Sequence, residues 1–141
     1  MNAQREAVLQ EARRWIGTPY HHCADIHGVG VDCLMLLVKV YGAALGIVVK
    51  DPRPYSPDWF LHRSEEIYKL GIMKHCREVK TPLPGDIALF KFGRCASHAS
   101  IIVDETYHIH AHRLSKMVEL GERRAIDDKL DSYWSPFNDQ R

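Results

Sequence analysis

The run CLMLLVKVYGAAL, residues 33–45, constrains this chain more than any other stretch. A single charged side chain, Lys39, interrupts thirteen otherwise apolar or small residues. A run of that length and character folds as a helix buried on most sides, and Asp32 stands where its N-cap belongs. It is far too short to span a bilayer. Such a helix cannot bury itself, so the remaining sequence must supply a layer for it to pack on.

Residues 2–16 offer a second helix. Val8, Ala12, Trp15 and Ile16 fall on one stripe, charged residues occupy the other faces, and Gly17-Thr18-Pro19 stops it. A loop with Gly28 and Gly30 leads into Asp32. The Pro-rich segment 51–59 is predicted to be extended or turn-like, and residues 59–70 to form a helix with Trp59, Phe60, Ile67 and Leu70 inward. After Pro82 and Pro84-Gly85 the character changes. Ile87 to Phe92, His98 to Val103, Tyr107 to His112 and Met117 to Leu120 read as short strands with short connections, hence an antiparallel meander. Helices first and strands after is the order of an α+β domain. No repeat or linker divides the chain, so residues 1–141 are expected to form one domain.

Composition narrows the function classes. Nineteen Lys and Arg nearly balance eighteen Asp and Glu, and no basic run stands out, which speaks against nucleic acid or an anionic membrane as partner. The start, MNAQREAVLQEARRW, lacks the features of a secretory signal, so synthesis in the cytoplasm without a signal peptide is expected. Four cysteines, at 23, 33, 76 and 95, are expected as free thiols, and no pair has the close spacing of a structural zinc site. No cofactor is implied.

Cys33 opens the apolar helix just after its cap residue. Its sulfur would lie near unpaired N–H groups and the positive helix end, a setting that favours the thiolate and could hold an oxyanion. The same position also suits an inert buried cysteine. A nucleophile needs a base, and nine histidines offer candidates. His98 heads one strand. His108, His110 and His112 alternate with Tyr107, Ile109 and Ala111, so the histidines share a face while the other three pack inward. The two strands form a hairpin turning around Asp104-Glu105. A three-residue loop, 103–105, would put His98 directly opposite His110; a two-residue loop would not. His98 could then take the thiol proton while His110 orients it. His108 and His112 are read as solvated or groove-lining. The alternative is a zinc site from His108, His110 and His112 with Cys33 or His98, but no glutamate stands where a zinc-hydrolase helix motif would place its base, and a metal-free site is expected.

Together these pieces resemble the NlpC family of cell-wall peptidases, which have a minimal papain-like fold. WIGTPYHH resembles the family's helix end and substrate-side tyrosine, GVDCLMLL its nucleophile turn, and PLPGDIALF the strand before the base. SHASIIV resembles the base strand and YHIHAH the strand of the third polar residue. The resemblance implies Cys33 as nucleophile, His98 as base and His110 as orienting residue. Tyr20, Asp32 and Leu34 fall on the substrate and oxyanion side, with Asp32 supporting the turn, and Gly85-Asp86 shapes the strand entry. It also implies peptidoglycan stem peptides as substrate, often cut between γ-linked D-glutamate and a diamino acid.

Some positions depart from the pattern. Leu34-Met35 replaces a serine and a small residue, Ala99-Ser100 replaces valine-glycine, and His21-His22-Cys23 stands where tryptophan and glycines are usual. The polar start, YSPDW and SYWSPF resemble short forms carried by tailed phages, which implies a virion-tail setting and tail proteins as partners. Two other readings remain: a weakly active or inactive tail-assembly protein on the same fold, and a papain-like amidase or acyltransferase.

Overall fold

A computed structural model describes residues 1–55, 71–72 and 74–139. The first helix, α1, is Ala3–Arg14, begun by Asn2, whose side chain accepts from the Arg5 N–H at 2.9 Å. Val8, Leu9, Ala12 and Trp15 are buried as the stripe requires, whereas Ile16, expected inward, is 42% exposed. The helix has ended by Trp15, so the periodicity that placed Ile16 no longer applies. The glycine loop holds a small ribbon, β1 (Asp25–Ile26) against β2 (Gly30–Val31). Next comes α2, Cys33–Leu45, capped by Asp32 and closed by Gly46, whose φ of 70° is the left-handed turn glycine permits.

The strands that follow are β3 (Arg77–Val79), β4 (Ile87–Phe92), β5 (Cys95–Ile102), β6 (Tyr107–His112), β7 (Met117–Glu122) and β8 (Leu130–Ser135). They form one six-stranded sheet in the order β3-β8-β4-β5-β6-β7, with every described pairing antiparallel. The expected meander is its β4 to β7 portion. β3 and β8 were not expected: β3 is only three residues long, and β8 lacks apolar alternation. The predicted helix over 59–70 lies outside the described residues.

The helices α1 and α2 pack on one sheet face. Leu36, Val40 and Tyr41 of α2 join Val8 and Leu9 of α1 against Ala99, Ile101, Ile109 and Ala111. These helix and strand side chains are almost wholly removed from water. That burial supplies most of the driving force, at about 25 cal/mol per Å² of apolar area. Tyr107 departs from expectation, being 38% exposed at the strand start. The Gly85-Asp86 turn is a joint as expected. Asp86 accepts the Leu83 N–H at 2.8 Å and pairs with Arg5 of α1 at 3.1 Å, while Tyr41 donates to the Gly85 carbonyl at 2.7 Å. One buried turn thus ties both helices to the edge of β4.

Candidate active site

Asp32 shapes the start of α2. Its Oδ1 accepts the Met35 N–H at 2.9 Å, and its Oδ2 accepts the Cys23 N–H at 2.8 Å and the Tyr55 hydroxyl. Burial and the Asp32 bond push the Tyr55 phenol well above its ordinary pKa. The residue predicted as cap therefore also anchors the two segments flanking Cys33. The Cys33 and Leu34 N–H groups lie in the first turn, at the positive end of the helix.

Cys33 is half-buried, and its thiol lies 3.8 Å from the carbonyl oxygen of Ser97, the residue just before His98. Ser97 sits where the β4–β5 ladder slips, between the pairs Phe90–His98 and Lys91–Ala96. The bulge brings the backbone of β5 to the Cys33 thiol. Tyr20 meets the same sulfur. Its hydroxyl hydrogen-bonds Cys33, and burial, then the neighbouring Cys33 and Asp32 charges, raise its pKa well above 10. Leu34 turns elsewhere, lining an apolar cavity with Leu37, Val38, Tyr41, Ile47 and Ile72. Met35 is buried in the main core. The bulky Leu34-Met35 pair is thus absorbed by packing, leaving only backbone to serve an oxyanion there.

His98, His108 and His110 are all buried. The expected direct opposition of His98 and His110 is not what the ladder gives. Ile101 pairs with Ile109 and Ile102 with His108, so four residues, 103–106, make the turn, and His98 and His110 meet diagonally. They still meet: His98 Nε2 and His110 Nδ1 are 2.8 Å apart, because diagonal neighbours lie within reach of imidazole side chains. His108 is corrected more fully. Rather than solvated, it is 1% exposed, with Nδ1 2.8 Å from the Ser100 hydroxyl. Phe90 and the other imidazoles wall that face, which keeps water from it.

Glu119 was not foreseen. It lies opposite His110 across β6 and β7, its Oε1 3.0 Å from His110 Nε2 and 3.4 Å from His112 Nδ1. The signal for it was the alternation of Met117, Val118, Glu119 and Leu120, which puts one acidic side chain on the histidine face. Gly121 makes room for the rings, since a Cβ there would come within 3.2 Å of His110 Nε2.

The chain of contacts decides the tautomers. A carboxylate only accepts, so neutral His110 carries its proton on Nε2 toward Glu119. Its Nδ1 then accepts from His98 Nε2, leaving His98 Nδ1 with a lone pair. Neutral rings are what burial dictates. Desolvation, then the neighbouring imidazoles, hold His98 well below 6.5, and desolvation first takes His108 and His110 down to about 3.

Two helices on an antiparallel sheet, with a cysteine opening the buried helix and an imidazole chain on the strands beside it, define a domain of the papain-like cysteine-peptidase class. The model of the NlpC/P60 family matches residues 17–138, and the chain belongs to that family. It is 29% identical over 129 residues to a gamma-DL-glutamyl hydrolase of Bacillus subtilis (strain 168), covering 90% of this chain and 26% of that one. The chain thus spans about a quarter of that relative. Among solved structures, the NlpC/p60 domain of the peptidoglycan hydrolase SagA superposes with a TM-score of 0.66 at 20% identity, covering 96% of this chain and 99% of that one. A lipoprotein-like NLP/P60 protein of Staphylococcus aureus subsp. aureus Mu50 gives 0.72 at 17% identity, covering 99% of this chain and 43% of that one. Among the described residues, no helix is long and apolar enough to cross a membrane.

Proposed function

We propose that this chain is a cysteine endopeptidase that hydrolyses the stem peptides of peptidoglycan, at the bond between a γ-linked D-glutamyl residue and the following diamino acid. One observation carries the reading most: a helix-start thiol beside Ser97 and Tyr20, next to a histidine chain whose tautomers leave one nitrogen of His98 open. Membership in the NlpC/P60 family and the gamma-DL-glutamyl hydrolase relative support the substrate class.

In this mechanism His98 Nδ1 takes the Cys33 proton as the sulfur attacks the scissile carbonyl carbon. Because burial keeps His98 neutral, the proton moves with the attack instead of being stored in a resting ion pair. Negative charge grows on the carbonyl oxygen and is met by the N–H groups at the start of α2 and by the Tyr20 hydroxyl. The imidazolium returns its proton to the departing amine, leaving a thioester. Water, deprotonated by His98, then releases the γ-carboxyl and restores the thiol. His110 holds the ring throughout, and Glu119 holds His110.

The test is digestion of purified diaminopimelate-type muropeptides, read by mass spectrometry. Wild type should release a free D-glutamate γ-carboxyl with the matching diaminopimelyl amine, and Cys33→Ala should release neither. A cut between lactyl and alanine would point to an amidase, and identical products from both proteins would remove Cys33 from the chemistry. Delivery by a phage tail is a further part of the proposal, supported by the sequence resemblance; tryptic peptides of this chain in purified virions would test it.

A further inference from the structure

Beside the base, the histidine face ends in three donors of one chemical kind. His110, His112 and Glu119 each offer one ligand atom, and the three atoms lie within 4.8 Å of one another. Two of the edges are 3.0 Å, His110 Nε2 to Glu119 Oε1, and 3.4 Å, His112 Nδ1 to Glu119 Oε1. A tetrahedral zinc ion with bonds of about 2.0–2.1 Å needs ligand atoms about 3.3 Å apart, which these two edges already approach. Two histidines two residues apart on a strand present their rings to one side, and here the rings are stacked with centroids 4.7 Å apart. His112 and Glu119 keep 20% and 33% of their side-chain surface exposed, which gives an ion a way in and leaves its fourth position to water. His108, whose Nδ1 meets Ser100, stands outside the set.

We propose that His110 Nε2, His112 Nδ1 and Glu119 form a binding site for a divalent transition-metal ion of the zinc type, and that its occupancy switches off the base. The switch rests on the peptidase reading above; the site does not. A metal on His110 Nε2 displaces the proton held there, so the neutral ring must carry its proton on Nδ1. That N–H then donates to His98 Nε2, which must become the acceptor, and the His98 proton moves to Nδ1. The two rings hold two protons before and two after, so none is gained or lost. Yet the nitrogen that has to receive the Cys33 proton is now occupied. The ion inhibits through the hydrogen-bond chain without touching the sulfur.

The experiment uses the intact chain, stripped of metal with EDTA and dialysed. Zinc chloride titrated into Cys33→Ala, which has no thiol at the nucleophile position, should bind at one ion per chain, and cobalt(II) should give the visible bands of a tetrahedral site. His112→Ala and Glu119→Gln should each weaken zinc binding at least ~10-fold. Absence of zinc binding by Cys33→Ala, or unchanged affinity in His112→Ala, overturns the site. In the activity arm, zinc should silence the wild type and EDTA restore it, while active His112→Ala should need at least ~10-fold more zinc. Zinc that fills the site with no loss of activity overturns the switch. A wild type that cleaves nothing even in EDTA counts against the peptidase reading, and the loss of zinc affinity in His112→Ala still decides the site, separating it from the cluster His22, Cys23 and Asp32.

Discussion

The two faces of the β5–β6 hairpin share a backbone and nearly the same burial, yet they are held together by different forces. On one face Ala99, Ile101, Ile109 and Ala111 pack against the helices. Their attraction is non-directional and proportional to area, so shape and volume decide its strength. On the other, His98, Ser100, His108 and His110 are also buried, but contacts of 2.8–3.0 Å link them into pairs and on to Glu119. There each proton's position matters, and one altered group resets its neighbours. The apolar face makes the domain stable; in the proposed mechanism the imidazole face supplies the chemistry.

Substitutions on each face should separate these roles. The largest effect is expected from His98→Ala, which should lower kcat/KM about 10³-fold by removing the base, with near-UV circular dichroism retained. A loss of less than about tenfold would take His98 out of the mechanism. Next comes Ile109→Ala on the opposite face. Deleting a fully buried side chain there should cost about 2–5 kcal/mol in urea unfolding and leave kcat/KM of the folded protein nearly unchanged. If Ile109→Ala instead lost activity with stability intact, the division between faces would fail.

The last effect concerns pH. His98, His108 and His110 have folded pKa values depressed below 6.5, so an unfolded chain binds protons near that pH that the folded chain refuses. Their contribution to stability is complete above 6.5 and is lost as pH falls toward about 3. Thermal unfolding in EDTA should therefore show Tm decreasing from pH 6.5 to about 5, before most carboxylates titrate. A flat or rising Tm over that window would mean that these rings are not buried and neutral.

The same contrast explains what was legible in the sequence. Alternation in Tyr107 to His112 set the three histidines on one face and Ile109 and Ala111 in the core, because side-chain period follows from strand geometry alone. The cap at Asp32 and the helix start at Cys33 were legible for a similar reason: both are local. The pairing of His98 with His110 survived an error in register, since diagonal neighbours also touch. The contact of Glu119 with His110 and the burial of His108 were not legible. They depend on β7 lying beside β6, on the small Gly121, and on Phe90 closing that face, all tertiary facts. Tyr55 came to Asp32 from a Pro-rich segment whose path no periodicity sets.

The central claim is that Cys33 alone among the cysteines is placed for attack. Burial accounts for two rivals, since Cys95 is fully buried and burial pushes the Cys76 thiol up to about 12. The third, Cys23, has its sulfur 3.2 Å from His22 Nε2 but stands in the loop before α2, without the helix-start N–H groups that flank Cys33. The direct measurement is time-resolved iodoacetamide labelling of the folded protein at neutral pH, resolved by peptide mass spectrometry, in wild type and His98→Ala. Labelling of Cys33 well ahead of Cys23, Cys76 and Cys95, and slowed in His98→Ala, is the predicted result. Equal labelling of all four, or a Cys33 rate indifferent to His98, would contradict it.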